Sequence, residues 1–194
     1  AACQKRVLVV DLDPQGNAST GLGIDVRARD IGTYHVLIGE ASLESAIMPT
    51  MVPGLSVLTS TVDLSGAEIE LVDMSDREFR LRQVLRPPPQ QFDHVLIDCP
   101  PSLGLLNLNA LVAADALLVP LQCEFYALEG VSHLVRTVER VRKSLNPQLE
   151  IQGVVLTMFD KRNRLSGLVA DDVRGYFGNK VYDTVIPRNV RVSE

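Results

Sequence analysis

Two apolar runs of this sequence end in carboxylates. Val7-Leu8-Val9-Val10 runs into Asp11-Leu12-Asp13-Pro14, and His94-Val95-Leu96-Ile97 runs into Asp98-Cys99-Pro100-Pro101. An apolar strand that delivers an aspartate to the edge of a sheet is one way to hold Mg²⁺, directly or through its water shell, against a phosphate. A strand-end aspartate also serves as a cap or a turn former, so either run alone leaves both readings open. Two such runs, each followed by proline, favour chemistry. The segment Asp13-Pro14-Gln15-Gly16-Asn17-Ala18-Ser19-Thr20-Gly21-Leu22-Gly23 is rich in small and polar residues, which suits a backbone that turns sharply or approaches a ligand. The segment from Asp98 to Gly104 leads into an apolar stretch of helical spacing, and the start of a helix there would offer free N–H groups to an anion.

Positioning these groups requires strands, and four runs have the character of strands buried on both faces of a parallel sheet: residues 7–10, 94–98, 116–120 and 151–157. Leu55 to Thr59 is a further candidate. Helical patterns fill the intervals at 103–113, 127–145 and 165–177, with short helices over 33–48. In the longest, Leu128, Val131, Leu134, Val135, Val138, Val141 and Leu145 recur at steps of three or four. Arg136, Glu139, Arg140, Arg142 and Lys143 fall opposite them, so one face packs and the other is solvated. Ser75-Asp76-Arg77-Glu78 fits a capping box that opens a helix toward Leu85, and Pro87-Pro88-Pro89 stops it. Strands alternating with helices predict an α/β fold, a doubly wound, mostly parallel sheet with helices on both faces, in which ligands sit beyond the carboxyl ends of the strands. No repeat or linker divides the chain, so 1–194 reads as one domain.

Composition narrows the class. The 194 residues are 46% apolar and 22% charged, enough for a core without disulfides. Cys3, Cys99 and Cys123 are too scattered for a zinc site or a disulfide framework, which makes a reducing compartment the default. His35, His94 and His133 have no metal-ligand spacing, and Phe125 and Tyr126 suit packing better than base stacking. The longest apolar stretch, Ala110 to Leu121, holds Asp115 and is shorter than the roughly 20 residues that span a bilayer. Net charge is −5 overall, yet residues 151–194 carry 7 basic and 5 acidic groups, so positive charge gathers toward that end.

Five blocks together carry a family resemblance: V-D-L-D-P-Q-G-N-A-S-T-G-L-G, I-D-C-P-P-S-L-G-L-L, P-L-Q-C-E-F-Y-A-L-E-G, L-T-M-F-D-K-R-N and V-I-P-R-N-V-R-V-S-E. In order and spacing the chain resembles the ParA (Soj-like) partition ATPases of the ParA/MinD deviant Walker group over nearly its whole length. The resemblance implies binding of ATP and Mg²⁺, an ATP-dependent homodimer, DNA binding without sequence preference, and slow hydrolysis stimulated by a ParB-type partner. It implies a cytoplasmic, nucleoid-associated protein with no stable membrane association. By position, Asp13 matches the aspartate that orients the attacking water, with Asp11 beside it. Asp98 matches the Walker B aspartate that holds the Mg²⁺ hydration shell. Pro187 and Asn189 match the segment lining the adenine pocket. Arg162 and Arg191 match basic positions used on DNA phosphates, although a single surface arginine is more commonly just solvated. Lys161, Arg164, Arg174 and Arg188 are candidates to widen that patch.

The resemblance also marks a departure. A P-loop, G-x-x-x-x-G-K-[ST], cradles phosphates with glycine N–H groups and neutralises them with lysine. Here none of the four lysines, Lys5, Lys143, Lys161 and Lys180, follows a glycine. The family places K-G-G-x-G-K-[ST] ahead of the point where this sequence starts and continues past Glu194, so the chain reads as an incomplete, internal part of the domain. Alone, it is expected to bind ATP poorly and to hydrolyse it negligibly. Two other readings share the fold: a relative without a P-loop that serves as a non-enzymatic DNA-binding scaffold, and a MinD-like ATPase acting at a membrane. Retention of both Asp13 and Asp98 speaks against the first, and D-P-Q-G-N with I-P-R-N against the second.

Overall fold

A computed structural model of the chain describes residues 3–86, 91–102, 104–124 and 127–189. They form two compact units, 1–114 and 115–194. In the first, the β-branched run forms β1 (Val7–Asp11), which pairs in parallel with β3 (Leu55–Leu58) on one side and β4 (His94–Asp98) on the other. A short β2 (Ile47–Pro49) runs antiparallel to β3 and closes the order β2-β3-β1-β4. Around them lie α1 (Asn17–Gly21), α2 (Thr33–Ile38), α3 (Leu43–Ala46), α4 (Leu64–Glu70), α5 (Arg80–Leu85) and α6 (Leu105–Ala113). The second unit holds β5 (Ala116–Gln122), α7 (Ala127–Ser144), β6 (Glu150–Phe159), α8 (Arg164–Phe177) and β7 (Val181–Pro187), with β5, β6 and β7 all parallel.

The pleat of β1 decides where the first core sits. Leu8 and Val10 point to one face, where with Leu12, Leu58, Leu64, Leu81 and Leu106 they are buried against Val95 and Ile97 of β4. Each fully buried leucine of this kind contributes about 1.5–3 kcal/mol relative to exposure. The second core is built the same way from Val119 and Leu121 of β5, Val154 and Leu156 of β6, and Val169 and Val173 of α8. On α7, Val131, Val138 and Val141 are buried and the five charged residues named above are exposed, as the spacing predicts.

Two local expectations are corrected. Burial on both faces holds for β1, whereas His94, Leu96 and Asp98 of β4 are exposed, as are Ala116, Leu118, Pro120 and Gln122 of β5. Successive side chains of a strand point to opposite faces, and one face of β4 and of β5 is left in solvent. The predicted capping box does not form. Asp76 takes a left-handed φ of 55° with no capping bond, a one-turn 3-10 helix follows at Arg77–Phe79, and α5 begins at Arg80. That start is set from a distance: buried Asn109 of α6 accepts a hydrogen bond from the Leu81 N–H at 3.1 Å and donates to the Arg77 carbonyl at 2.8 Å. Two elements, β7 and α4, are not marked by sequence periodicity. The Pro87-Pro88-Pro89 stop and the pair Phe125 and Tyr126 lie outside the described residues.

Candidate functional site

Parallel pairing of β1 with β4 puts Asp11 in register with Asp98, and the Leu12 N–H donates to the Asp98 carbonyl at 2.8 Å. The three aspartates singled out in the sequence therefore share one sheet edge, yet their environments differ. Asp11 is fully buried. Its Oδ2 accepts from the Ser19 N–H at 2.7 Å and the Ser19 hydroxyl at 2.6 Å, and its Oδ1 from the Asp13 N–H at 3.2 Å. Ser19 Oγ in turn accepts from the Ser60 N–H at 3.1 Å, and Thr33 Oγ1 donates to the Asp11 carbonyl at 2.7 Å. With both oxygens taken by the chain's own donors, Asp11 holds the loop and does not face a ligand. Asp11 thus stands directly behind Asp13, bonded to its N–H.

Asp13 is half-buried and opens the loop. Its Oδ1 accepts from the Gln15 N–H at 2.9 Å and its carbonyl from the Gly16 N–H at 2.9 Å, which folds residues 13–16 into a tight turn. Gly16, at φ 64°, is in the left-handed region that favours glycine, and it leads directly into α1. Asp98 is the exposed member. Partial burial of its carboxyl, then the negative charges of Asp11 and Asp13, push its pKa above the ordinary range. The pKa of the neighbouring Cys99 thiol is pushed up to about 12, by loss of solvent around the sulfur and then by the charge of Asp98.

An acidic edge of this kind suits a cation. Among the described residues no group of three or more His, Cys, Asp or Glu could cage a metal. One carboxylate raised in pKa by like charges instead fits Mg²⁺ held with waters and phosphate oxygens, the coordination that ion prefers. The anion site expected at the start of α6 is corrected: Glu68 Oε1 accepts from the Leu106 N–H at 3.4 Å. A carboxylate there satisfies an end N–H and complements the helix dipole, which repels an incoming anion.

The second unit carries the remaining predicted residues. Arg162 stands in the turn between β6 and α8, highly exposed, and forks onto Asp160 through Nε and Nη2, both at 3.1 Å. Asp160 is held below the usual carboxylate range by these bonds and by the Arg162 N–H. A pair at i, i+2 in a loop leaves no periodic trace, so the sequence suggested a free cation. Lys161, Arg164, Arg174 and Arg188 are exposed as well. Pro187 ends β7 opposite Phe159, whose carbonyl accepts from the Arg188 N–H at 3.1 Å, and Asn189 follows, exposed. Arg191 lies outside the described residues. The sequence reading also passed over Thr33, Ser60, Glu68 and Arg29. The first three act through long-range hydrogen bonds with no local signature, and Arg29, in a polar stretch, looks solvated although it is only 5% exposed.

Comparison with known proteins places this geometry. A family model described as an AAA domain matches residues 1–151. The chain is 60% identical over 196 residues to the chromosome partitioning protein ParA of Caulobacter vibrioides, spanning 100% of this chain and 73% of that protein. It is 51% identical over 190 residues to the chromosome-partitioning ATPase Soj of Thermus thermophilus, spanning 98% of this chain and 72% of that one. Among solved structures, cobyrinic acid a,c-diamide synthase of Mycobacterium smegmatis with bound ADP and magnesium matches with a TM-score of 0.90 at 39% identity, covering 97% of this chain and 77% of the other. The α/β architecture expected from the sequence, a mostly parallel sheet with helices on both faces, is the one this match shows. With half or more of its residues identical to ParA and Soj along almost its full length, the chain belongs to the ParA/Soj family of partition ATPases.

Proposed function

We propose that the protein containing this chain hydrolyses ATP in chromosome or plasmid partition, binding ATP with Mg²⁺, dimerising in the ATP-bound state and binding DNA without sequence preference. A ParB-type partner stimulates turnover. The observation that carries this reading is the shared edge of β1 and β4, where Asp13 is free to face a ligand, Asp98 is raised in pKa by its acidic neighbours, and Asp11 is spent on holding the loop. Residues 1–194 act as one ParA-type nucleotide-hydrolase domain, and the 194 residues by themselves, having no G-x-x-x-x-G-K-[ST], hydrolyse ATP negligibly.

In this reading Asp98 holds Mg²⁺ through its water shell, and the bound ion supplies charge neutralisation on the phosphates. Asp13 accepts a hydrogen bond from the attacking water and orients it, with one carboxylate oxygen already fixed by the Gln15 N–H. Asp11 supports Asp13 from behind. Pro187 and Asn189 line the adenine pocket. Arg162 and Arg191 contact DNA phosphates, which makes binding sequence-blind and salt-sensitive. The kinship with ParA and Soj supports a cytoplasmic, nucleoid-associated protein. Asp13→Ala in the native protein is expected to retain ATP-bound dimers and to lose turnover. Hydrolysis at the wild-type rate by that variant would remove Asp13 from the mechanism.

A further inference from the structure

Arg29 is the least expected charged residue of the first unit. It follows a one-turn 3-10 helix, Val26–Ala28, and is 5% exposed, yet among the described residues its guanidinium bonds only neutral oxygens. Nη1 donates to the Gly16 carbonyl at 3.3 Å and the Ser60 carbonyl at 3.1 Å. Nη2 donates to Thr20 Oγ1 at 2.8 Å and the Ile24 carbonyl at 2.6 Å. Nε is buried with no hydrogen-bond partner among the described residues. A buried charge without a counter-ion is costly. A surface lysine or a small polar residue would fill a loop at less cost, so the geometry of the contacts has to account for it.

Those contacts reach both ends of one loop. Gly16 closes the turn that begins at Asp13, Thr20 lies in α1, and Ile24 stands where the loop leaves. Ser60, on the segment just after β3, fixes the assembly to the sheet, because its N–H also donates to the Ser19 hydroxyl that bonds Asp11. Packing is tight enough that a Cβ on Gly16 would come within 2.6 Å of Arg29 Nη1 and 2.8 Å of the Ser60 carbonyl oxygen. The planar fork, with donors at fixed angles, can span four acceptors at once, which an ammonium cannot.

We infer that Arg29 is a positioning residue: by fastening Gly16, Thr20 and Ile24 to Ser60 it fixes the turn 13–16 and with it the carboxylate of Asp13. The inference rests on the ATPase reading given above. Arg29 touches no reactant. It acts through Gly16, whose N–H donates to the Asp13 carbonyl, so releasing the fork lets the Asp13 turn drift from the place where it orients water. A shift of about 1 Å in such a group costs up to about 100-fold in rate while leaving nucleotide contacts in place.

The test compares the native protein with Arg29→Gln and Arg29→Lys, measuring ATP turnover with random-sequence DNA and amide hydrogen exchange without nucleotide. The expected result is a kcat about 10- to 100-fold lower in Arg29→Gln with KM for ATP changed less than about twofold. Amides of residues 16–24 exchange at least about tenfold faster, while those of β1 and β4 keep their protection. Arg29→Lys keeps the buried charge but not the fork, so it serves where Arg29→Gln does not fold and shows the same kcat-specific loss with smaller amplitude. A kcat within about twofold of wild type in a folded variant, or a loss carried by KM alone, overturns the positioning role. If the wild-type protein itself fails to hydrolyse ATP, the ATPase reading falls, and unchanged exchange at 16–24 in the variants separately refutes the clamp.

Discussion

Replacing Ser19 with alanine removes one oxygen and tests whether the buried chain Asp11–Ser19–Ser60 holds the loop. The hydroxyl donates to a fully buried carboxylate at 2.6 Å, a charge-assisted bond of about 1.5–3 kcal/mol net. It also accepts from the Ser60 N–H, and Ser60 is 1% exposed, so without Ser19 Oγ that donor is left buried and unpaired at about 1–3 kcal/mol. The two effects overlap, because the loop relaxes once to relieve both, and Asp11 keeps the Ser19 and Asp13 N–H groups. A loss of about 3–5 kcal/mol is expected. Urea denaturation of wild type, Ser19→Ala, Asp11→Asn and the double variant supplies the assay. The coupling energy from this cycle isolates the Ser19–Asp11 bond and should be at least about 1 kcal/mol. A single-variant loss below about 1 kcal/mol with no coupling would mean that water replaces the hydroxyl, and the account of the loop as anchored through Asp11 would be wrong.

Four further outcomes follow from particular residues. The pKa of Asp98 is higher in the folded chain than its ordinary 3.8, so the folded state binds the proton more tightly and stability falls as pH rises from about that value through the folded pKa. Asp98→Asn is therefore expected to melt higher than wild type at pH 7 without Mg²⁺ and nucleotide, an advantage that vanishes in acid, and an unchanged or lower Tm at pH 7 would contradict the electrostatic reading. Gly32 has extended backbone, φ −151° and ψ −161°, that any residue adopts, but a Cβ there would collide with the Thr59 carbonyl oxygen. That oxygen accepts from the Thr33 N–H at 2.8 Å, so Gly32→Ala should cost about 2–4 kcal/mol from overpacking and a weakened bond. Gly21→Ala, in α1 with nothing within 4 Å of its added Cβ, should be neutral or stabilise by up to about 1 kcal/mol, and calorimetry separates the two. Asp160→Asn frees the Arg162 fork and should tighten DNA binding, whereas Arg162→Ala should weaken it and lower the slope of log K against log salt by about one phosphate contact. Fluorescence anisotropy at several salt concentrations reads both, and no effect of either variant would take this turn out of the DNA-binding surface.

The contrast between Asp11 and Arg29 shows what kind of information a sequence carries about such a site. Residues 7–11 were legible as a strand because an unbroken β-branched run can satisfy itself only inside a sheet, and the same grammar exposed Asp98 at the end of a second strand. The helix 127–144 was legible because its burial is periodic along one element. Each of these signals is local. What stayed hidden depends on partners far along the chain: Ser60 is 31 residues from Arg29 and 41 from Ser19, and Asn109 is 28 from the Leu81 N–H that it caps. The exposure of Leu96 has the same origin, since whether a face of a strand is covered depends on what packs over it and not on the strand itself. The loop 13–24 joins both kinds of information. Its small, polar composition reads as a sharp turn or a ligand approach, and small residues are also what lets carbonyls converge on a buried guanidinium: Gly16 has no room for a Cβ beside Arg29 and Ser60. Small residues thus let the loop close around Arg29, and under the proposed function a fixed loop is what an Asp13 that orients water would require.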